Sequence, residues 1–263
     1  MCPVCGRVGV VTAARAYDAR LQVRVAHRRG DYCAVTSRLC DLPPGPGGQW
    51  RVAPRPTTLA GGDNYLVPFI AQLAPPHAVY AELFGGLASV LASKPRAHVD
   101  IYNDVNPHIY HLMHCVARRR CLNALKYKIL NTVIHRDTWR RAVDALWDVK
   151  PRTDPDPDVA FHFLYATFNA HNGIVYANPV FRLPTDGRGQ SRPATWRLLP
   201  RRLEELHRRI RHAVFYNRHW RLLDWVFDLP CAWVYLDPPH HTLADAEYDN
   251  YRFYAARWSR DDF

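Results

Sequence analysis

The chain is short of lysine, short of acid relative to base, and without any long apolar run. Each shortage excludes something. Lys94, Lys126, Lys128 and Lys150 are its only lysines, so 31 of the 35 basic residues are arginine, set against 24 Asp and Glu. The result is a net charge of +11 and a sequence pI near 9.5. Arginine's planar fork suits bidentate contact with phosphates and base edges, so the balance points to nucleic acid and away from acidic-surface proteins. GC-rich coding also raises arginine use, which makes the net charge the firmer of the two signals. No apolar stretch approaches the ~20 residues that cross a bilayer, and no secretory signal opens the chain, so a cytoplasmic protein is expected. With 263 residues, 48% of them hydrophobic, and a mean hydropathy of −0.31, the length suits one large domain plus a small appendage.

The charge is uneven. Residues 1–60 hold nine basic and three acidic residues, and residues 237–263 hold three basic and six acidic. The middle of the chain carries the remaining +8, and a DNA-binding lobe is expected there.

Cys2-Pro3-Val4-Cys5-Gly6 opens the protein, with His27 and Cys33 downstream. A Cys-x-x-Cys-Gly turn brings two thiolates onto one ion, and His27 and Cys33 complete a four-ligand zinc set, with Cys40 as a rival for the fourth place. The other readings are a disulfide or unrelated thiols. Between the two halves, Leu21 to His27 alternates as a strand does, so residues 1–40 read as a small zinc ribbon. Residues 41–57 (DLPPGPGGQWRVAPRPT) are rich in proline and glycine and read as a linker, leaving 58–263 as the main domain.

In that domain, Cys231 to Leu236 is a brief apolar run with the look of a buried strand, and it stops at Asp237-Pro238-Pro239-His240. Proline gives no ladder donor and pushes its predecessor out of the helical region. Asp237 is therefore held beyond the carboxyl end of a strand, where open α/β sheets bind ligands. Such a corner suits a planar amino group, which gives up two N–H bonds at once. Taken alone, Asp-Pro-Pro is only a strand-ending turn. Upstream, Ala78 to Leu83 forms a strand leading into Phe84-Gly85-Gly86, and His98 to Asn103 forms another ending at Asp104.

These three stretches, in this order, resemble the Dam-like (class alpha) N6-adenine DNA methyltransferases, which carry a glycine-rich opening, an acidic-Pro-Phe-x-Gly strand end, an Asn-Asp strand end and Asp-Pro-Pro-Tyr. The resemblance runs from about Leu59 to the C-terminus. It implies an α/β, Rossmann-like S-adenosylmethionine-dependent methyltransferase sheet with a helical target-recognition region over 107–215. It implies that Gly61 and Gly62, Glu82, and Phe84, Gly85 and Gly86 lie beside the cofactor, with Asp104 on the ribose hydroxyls. It also implies that Asp237, Pro238, Pro239 and His240 form the methyl-acceptor corner, acting on adenine in double-stranded DNA. Phe168-Asn169-Ala170-His171-Asn172-Gly173 resembles the family's Phe-Asn-Gly segment. Asp104 has an alternative role as cap of a helix beginning at Val105.

Three positions and the length of the C-terminal segment depart from the family. Asp63 replaces a lysine after the Gly-Gly pair, Leu83 stands where proline is usual, His240 replaces the aromatic, and only 23 residues follow the Asp-Pro-Pro-His stretch. The last departure predicts an unfinished sheet edge, in a chain that is a truncated reading frame, a fragment, or a form completed by a protein partner. Two other functions remain open: a catalytically inactive DNA-binding protein on the same fold, and amino methylation of cytosine or RNA. Periodicity predicts helices over 107–147, 159–169 and 201–210, and a short strand at 213–216.

Overall fold

A computed structural model describes residues 9–17, 20–27, 32–38, 49–57, 64–148, 154–176, 178–182, 192–229 and 231–238, the first three segments as backbone only. Cys2, Cys5, Gly61, Gly62, Asp63, Pro239 and His240 lie outside them, as do the side chains of His27, Cys33 and Cys40. The chain forms two compact units. One comprises Met1–Val52, Asn64–Asp104 and Arg209–Asp237, and the other Ala53–Asp63, Val105–Arg208 and Pro238–Phe263.

The first unit holds two sheets. Strands β1 (Gly9–Tyr17), β2 (Arg20–His27) and β3 (Tyr32–Arg38) make an antiparallel sheet in the order β1-β2-β3. The second sheet is parallel, in the order β6-β5-β4-β7, built from β4 (Val79–Glu82), β5 (Val99–Asn103), β6 (Val214–Tyr216) and β7 (Ala232–Tyr235). The fold is α/β with a parallel, Rossmann-like sheet. Every residue of β4 and β5 is buried, as in parallel strands covered on both faces.

Alternation still sorts the two faces. Val79, Ala81, Val99 and Ile101 pack with Leu223, Val226 and Leu229, the last three from the segment around the 3₁₀ helix Trp220–Val226. The opposite face carries Tyr80, Glu82, Asp100 and Tyr102. There Trp233 lies against Tyr80 with centroids 5.0 Å apart, and Trp50 lies 6.1 Å from Trp233, so the end of the proline-rich stretch is docked. A buried Lys94–Asp100 pair (2.7 Å) sits beside the Tyr80 ring, with the ammonium 4.5 Å from its centroid. Helices α1 (Val67–Leu73) and α2 (Ser89–Ser93) belong to this unit.

The second unit is helical: α3 (Pro107–Ala117), α4 (Arg119–Leu130), α5 (Arg136–Asp144), α6 (Pro157–Asn169) and most of α7 (Arg192–Ile210). The single helical pattern read over 107–147 is three helices. Arg118 adopts extended backbone (φ −99°, ψ 114°) between α3 and α4, and His135 does so before α5, where its ring accepts from the Asp137 N–H. Helix α7 starts nine residues earlier than periodicity suggested and carries Pro200 inside it. Helix α3 begins at Pro107, not Val105. Asn106 caps it by accepting from the His108 N–H, so Asp104 does not serve as the cap. A disulfide joins Cys115 to Cys121 across the α3–α4 break. No helix among the described residues is long and apolar enough to cross a membrane.

Candidate functional site

The chain enters the parallel sheet at β4, moves to β5 and β6 on one side, then returns to β7 on the other. The connection reverses between β4 and β7, and open α/β sheets bind ligands at such a switch, beyond the carboxyl ends of the strands. Three acids occupy that rim. Glu82 ends β4, Asp104 follows β5, and Asp237 lies two residues past Tyr235, the cross-strand partner of Glu82.

Glu82 is buried. Its Oε2 accepts from the Leu91 N–H (2.9 Å) and from the Tyr80 hydroxyl (3.0 Å). Burial raises its carboxyl to about 8. Those two hydrogen bonds pull it back down, while the negative charge of Asp237 adds to the rise. The same burial, with Glu82 beside it, lifts the Tyr80 phenol well above its ordinary value. Near neutral pH the rise at Glu82 favours its protonated form.

Asp104 is also buried, and its Oδ2 accepts from the Gly86 N–H at 2.8 Å. The two glycines do different jobs. A Cβ on Gly85 would lie 2.2 Å from Cε2 of Tyr102, so this position admits no side chain. Gly86 has φ +49° and open space where a Cβ would be. Tyr102 closes the turn by donating its hydroxyl to the Gly86 carbonyl (2.7 Å), and the Gly85 N–H donates to the Asn103 carbonyl (2.8 Å). Phe84 packs on the core beneath.

Sequence reasoning passed over the residue that ties these strand ends together. The Asn103 amide donates to the carbonyls of Leu83 (2.8 Å) and Arg218 (3.0 Å), and its Oδ1 accepts from the Arg218 N–H (3.0 Å). Asn217 Nδ2 donates to the Asp104 carbonyl (2.7 Å). The available signal was an asparagine just before the strand-end acid, at a position where a buried amide has to satisfy several backbone groups.

Asp237 is exposed and Pro238 half-buried. Two buried acids at neighbouring strand ends, beside a glycine with open space, fit a ligand bearing an ammonium group and a vicinal diol. No group of three or more His, Cys, Asp or Glu among the described residues is placed to hold a metal.

The helical unit commits many of its polar groups internally. Glu204 accepts from Arg119 (2.7 Å) and Lys126 (3.0 Å), and Lys128 pairs with Asp158 (2.5 Å). Asn169, in the Phe-Asn stretch, is buried and donates to the Tyr165 carbonyl, and the Arg192 guanidinium lies 4.7 Å from the centroid of the Phe168 ring. His108, His111 and His114, a buried row on α3, also escaped notice in the sequence. His108 bonds the Tyr176 hydroxyl (2.7 Å) and the Leu146 carbonyl (2.9 Å), and His114 bonds the Tyr110 hydroxyl and Arg118. Burial lowers these two rings to about 4 and about 3, so both are neutral at ordinary pH.

Residues 60–261 match a family model described as D12 class N6 adenine-specific DNA methyltransferase. A comparison with curated proteins returns no match.

Proposed function

The chain belongs to the D12 class N6 adenine-specific DNA methyltransferases, S-adenosylmethionine-dependent enzymes that methylate adenine in DNA, and from that premise we propose which of its residues carry the reaction. The observation that carries the assignment is the row of three acids, Glu82, Asp104 and Asp237, on one rim of a parallel sheet at its switch point. Glu82 meets the cofactor's amino acid end and Asp104 its ribose hydroxyls, with Gly61, Gly62, Phe84, Gly85 and Gly86 beside it. When bound, the cofactor supplies an electrophilic methyl group on a sulfonium, so the protein needs no covalent intermediate.

The chain's own task is to prepare a weak nucleophile. The lone pair of an adenine amine is delocalised into the ring. Asp237 and the Pro238 carbonyl accept its two N–H bonds, draw the nitrogen toward a tetrahedral shape and stabilise the positive charge that develops there. Pro239 keeps the corner rigid and His240 stacks on the base, which leaves the duplex to reach it. The helical region 107–215 reads the target, making the enzyme site-specific, and it acts on cytoplasmic DNA. A tritiated-methyl transfer assay on unmethylated double-stranded DNA, followed by nucleoside analysis, tests the reading. Label in N6-methyladenine is expected. Label in cytosine or RNA, or none, overturns it. His240→Tyr should hold or raise activity if stacking is its job.

Two appendages complete the proposal. A structural zinc ion sits on Cys2, Cys5, His27 and Cys33, with Cys40 as the alternative ligand. Support comes from the antiparallel register, which pairs Cys33 with Val25 and Gly9 with His27, bringing His27, Cys33 and Gly9, four residues after Cys5, to one end of the small sheet. Cys231 is disulfide-bonded, so zinc content is measured on protein purified under reducing conditions. One ion per chain is expected, and none removes the idea. A protein partner adds a strand beside β7, the sheet's edge among the described residues. Light scattering of the purified protein showing only monomer, with full activity, removes that partner.

A further inference from the structure

The small antiparallel sheet lies outside the residues that match the family, and its register sorts its residues by chemistry. Directly opposed residues of an antiparallel pair share a face, and neighbours along a strand alternate. Arg20 is opposite both Tyr17 and Arg38, Gln22 is opposite both Arg15 and Thr36, and Arg24 is opposite Ala13 and Ala34. All four arginines of the sheet therefore fall on one face. Leu21, Val23, Val25 and Val35 fall on the other. The three strands contain no Asp or Glu. A coding bias toward arginine raises its number everywhere and does not place every copy on one side of a sheet.

One pairing sets two arginines at directly opposed positions. Arg20 and Arg38 are direct cross-strand neighbours, and like charges so placed repel unless an anion lies between them. Arg20 and Arg24 are four residues apart on one strand, roughly 13 Å, and adjacent strands are ~4.8 Å apart. Four positive charges with Gln amide and Thr hydroxyl donors across such a patch match a run of phosphates, contacts that carry no sequence information.

We propose that this face of the N-terminal sheet is a second DNA-contacting surface, one that grips the phosphate backbone of the substrate duplex independently of sequence. It rests on the reading of the chain as an enzyme acting on DNA, and it adds a contact outside the matched residues. The test is equilibrium binding of the full chain to unmethylated duplexes of unrelated sequence over a salt series. Each phosphate contact contributes about 0.9 to the slope of log K against log salt. The quadruple variant Arg15→Gln, Arg20→Gln, Arg24→Gln, Arg38→Gln should flatten that slope by up to about 3.6 and weaken binding at least ~10-fold on every duplex alike. The pair Arg20→Gln, Arg38→Gln should flatten it by about 1.8 without lowering the melting temperature, since it removes a repulsion. This pair keeps the test decisive if the quadruple variant does not fold. Folded variants with the parent's affinity and slope overturn the inference, as does a slope change seen on RNA but not on DNA. A parent chain that binds no DNA overturns the underlying reading as well, which distinguishes the two failures.

Discussion

The two units handle their polar groups differently, although the sheet unit also closes one buried pair, Lys94 with Asp100. In the helical unit they close on one another: Glu204 clasps Arg119 and Lys126, the Trp139 indole donates to the Ala166 carbonyl, and the Trp196 indole donates to the carbonyls of Ile129 and Thr132. In the sheet unit, Asn103 and Asn217 do the same work for the backbone, and the acids are left at the rim. Burial raises the Glu82 carboxyl to about 8, Asp104 accepts from the Gly86 N–H, and Asp237 is exposed. A basic or acidic residue is thus informative about function according to what it already holds. The arginines and lysines of α4 look in the sequence like a DNA-facing run, yet three of them are committed to carboxylates of the same unit.

The comparison is broken most directly at Asp237. Asp237→Ala should cut methyl transfer by roughly a hundred-fold or more, the ~3 kcal/mol of one lost transition-state contact, with the melting temperature unchanged because the side chain is exposed. Retained activity would mean that the rim acid is only a turn residue.

Gly85→Val comes next. Its Cβ would fall within the Tyr102 ring, so Tyr102 has to leave the Gly86 carbonyl. Cofactor affinity by calorimetry should fall at least ~10-fold, together with a lower melting temperature, since overpacking a buried site costs typically ~1–3 kcal/mol. Asp104→Ala should weaken the cofactor by a similar factor with less effect on melting. Parent-like binding in both variants would misplace the pocket.

Glu82 sharpens the contrast through pH. Its folded-state value, about 8, lies above the ordinary 4.5, so between these limits the folded chain holds a proton that the unfolded chain has lost. Its contribution to stability is therefore present at low pH and declines as pH rises from about 4.5 to about 8. Over the same window, cofactor affinity should rise toward pH 8, because binding an ammonium group requires the ionised form. Glu82→Gln should flatten both profiles, and an unchanged pair of profiles would show that the carboxyl does not titrate there.

Glu204→Ala should have the smallest effect. Its carboxyl is held down at about 2 by Arg119 and Lys126, so the stabilisation is present above the ordinary 4.5 and is lost as pH falls toward 2. The group is partly exposed, so the loss at neutral pH should be no more than ~1 kcal/mol and should vanish in high salt. Methyl transfer should not change, and a fall would bring this cluster into the DNA interface.

Much of this was readable in advance, for local reasons. Val79 to Glu82 and Val99 to Asn103 are short, branched and aromatic, and each is followed by a turn that a strand cannot enter, so their ends are marked in the residues themselves. The strand-end acids and the Asp-Pro-Pro stretch carried the family, and the match over 60–261 agrees with that reading. The α3–α4 break was not readable: Arg118, between two arginines and an apolar helix, carries no proline or glycine to announce an extended backbone. The span of α7 was hidden because Pro200 reads as a stop, whereas the structure accommodates it within the helix.

The sequence by itself determined the strands that end at the motif acids, the order of the three motifs and the excess of positive charge, because these depend on neighbouring residues and on composition. The tertiary structure alone decided which acids share a rim, that Asn103 ties three strand ends together, that Glu82 is protonated near neutrality, and which cations on α4 are already held. Each of those follows from strand order and burial, which bring together residues more than a hundred positions apart, as with Asn103 and Arg218, and no local pattern encodes such distances.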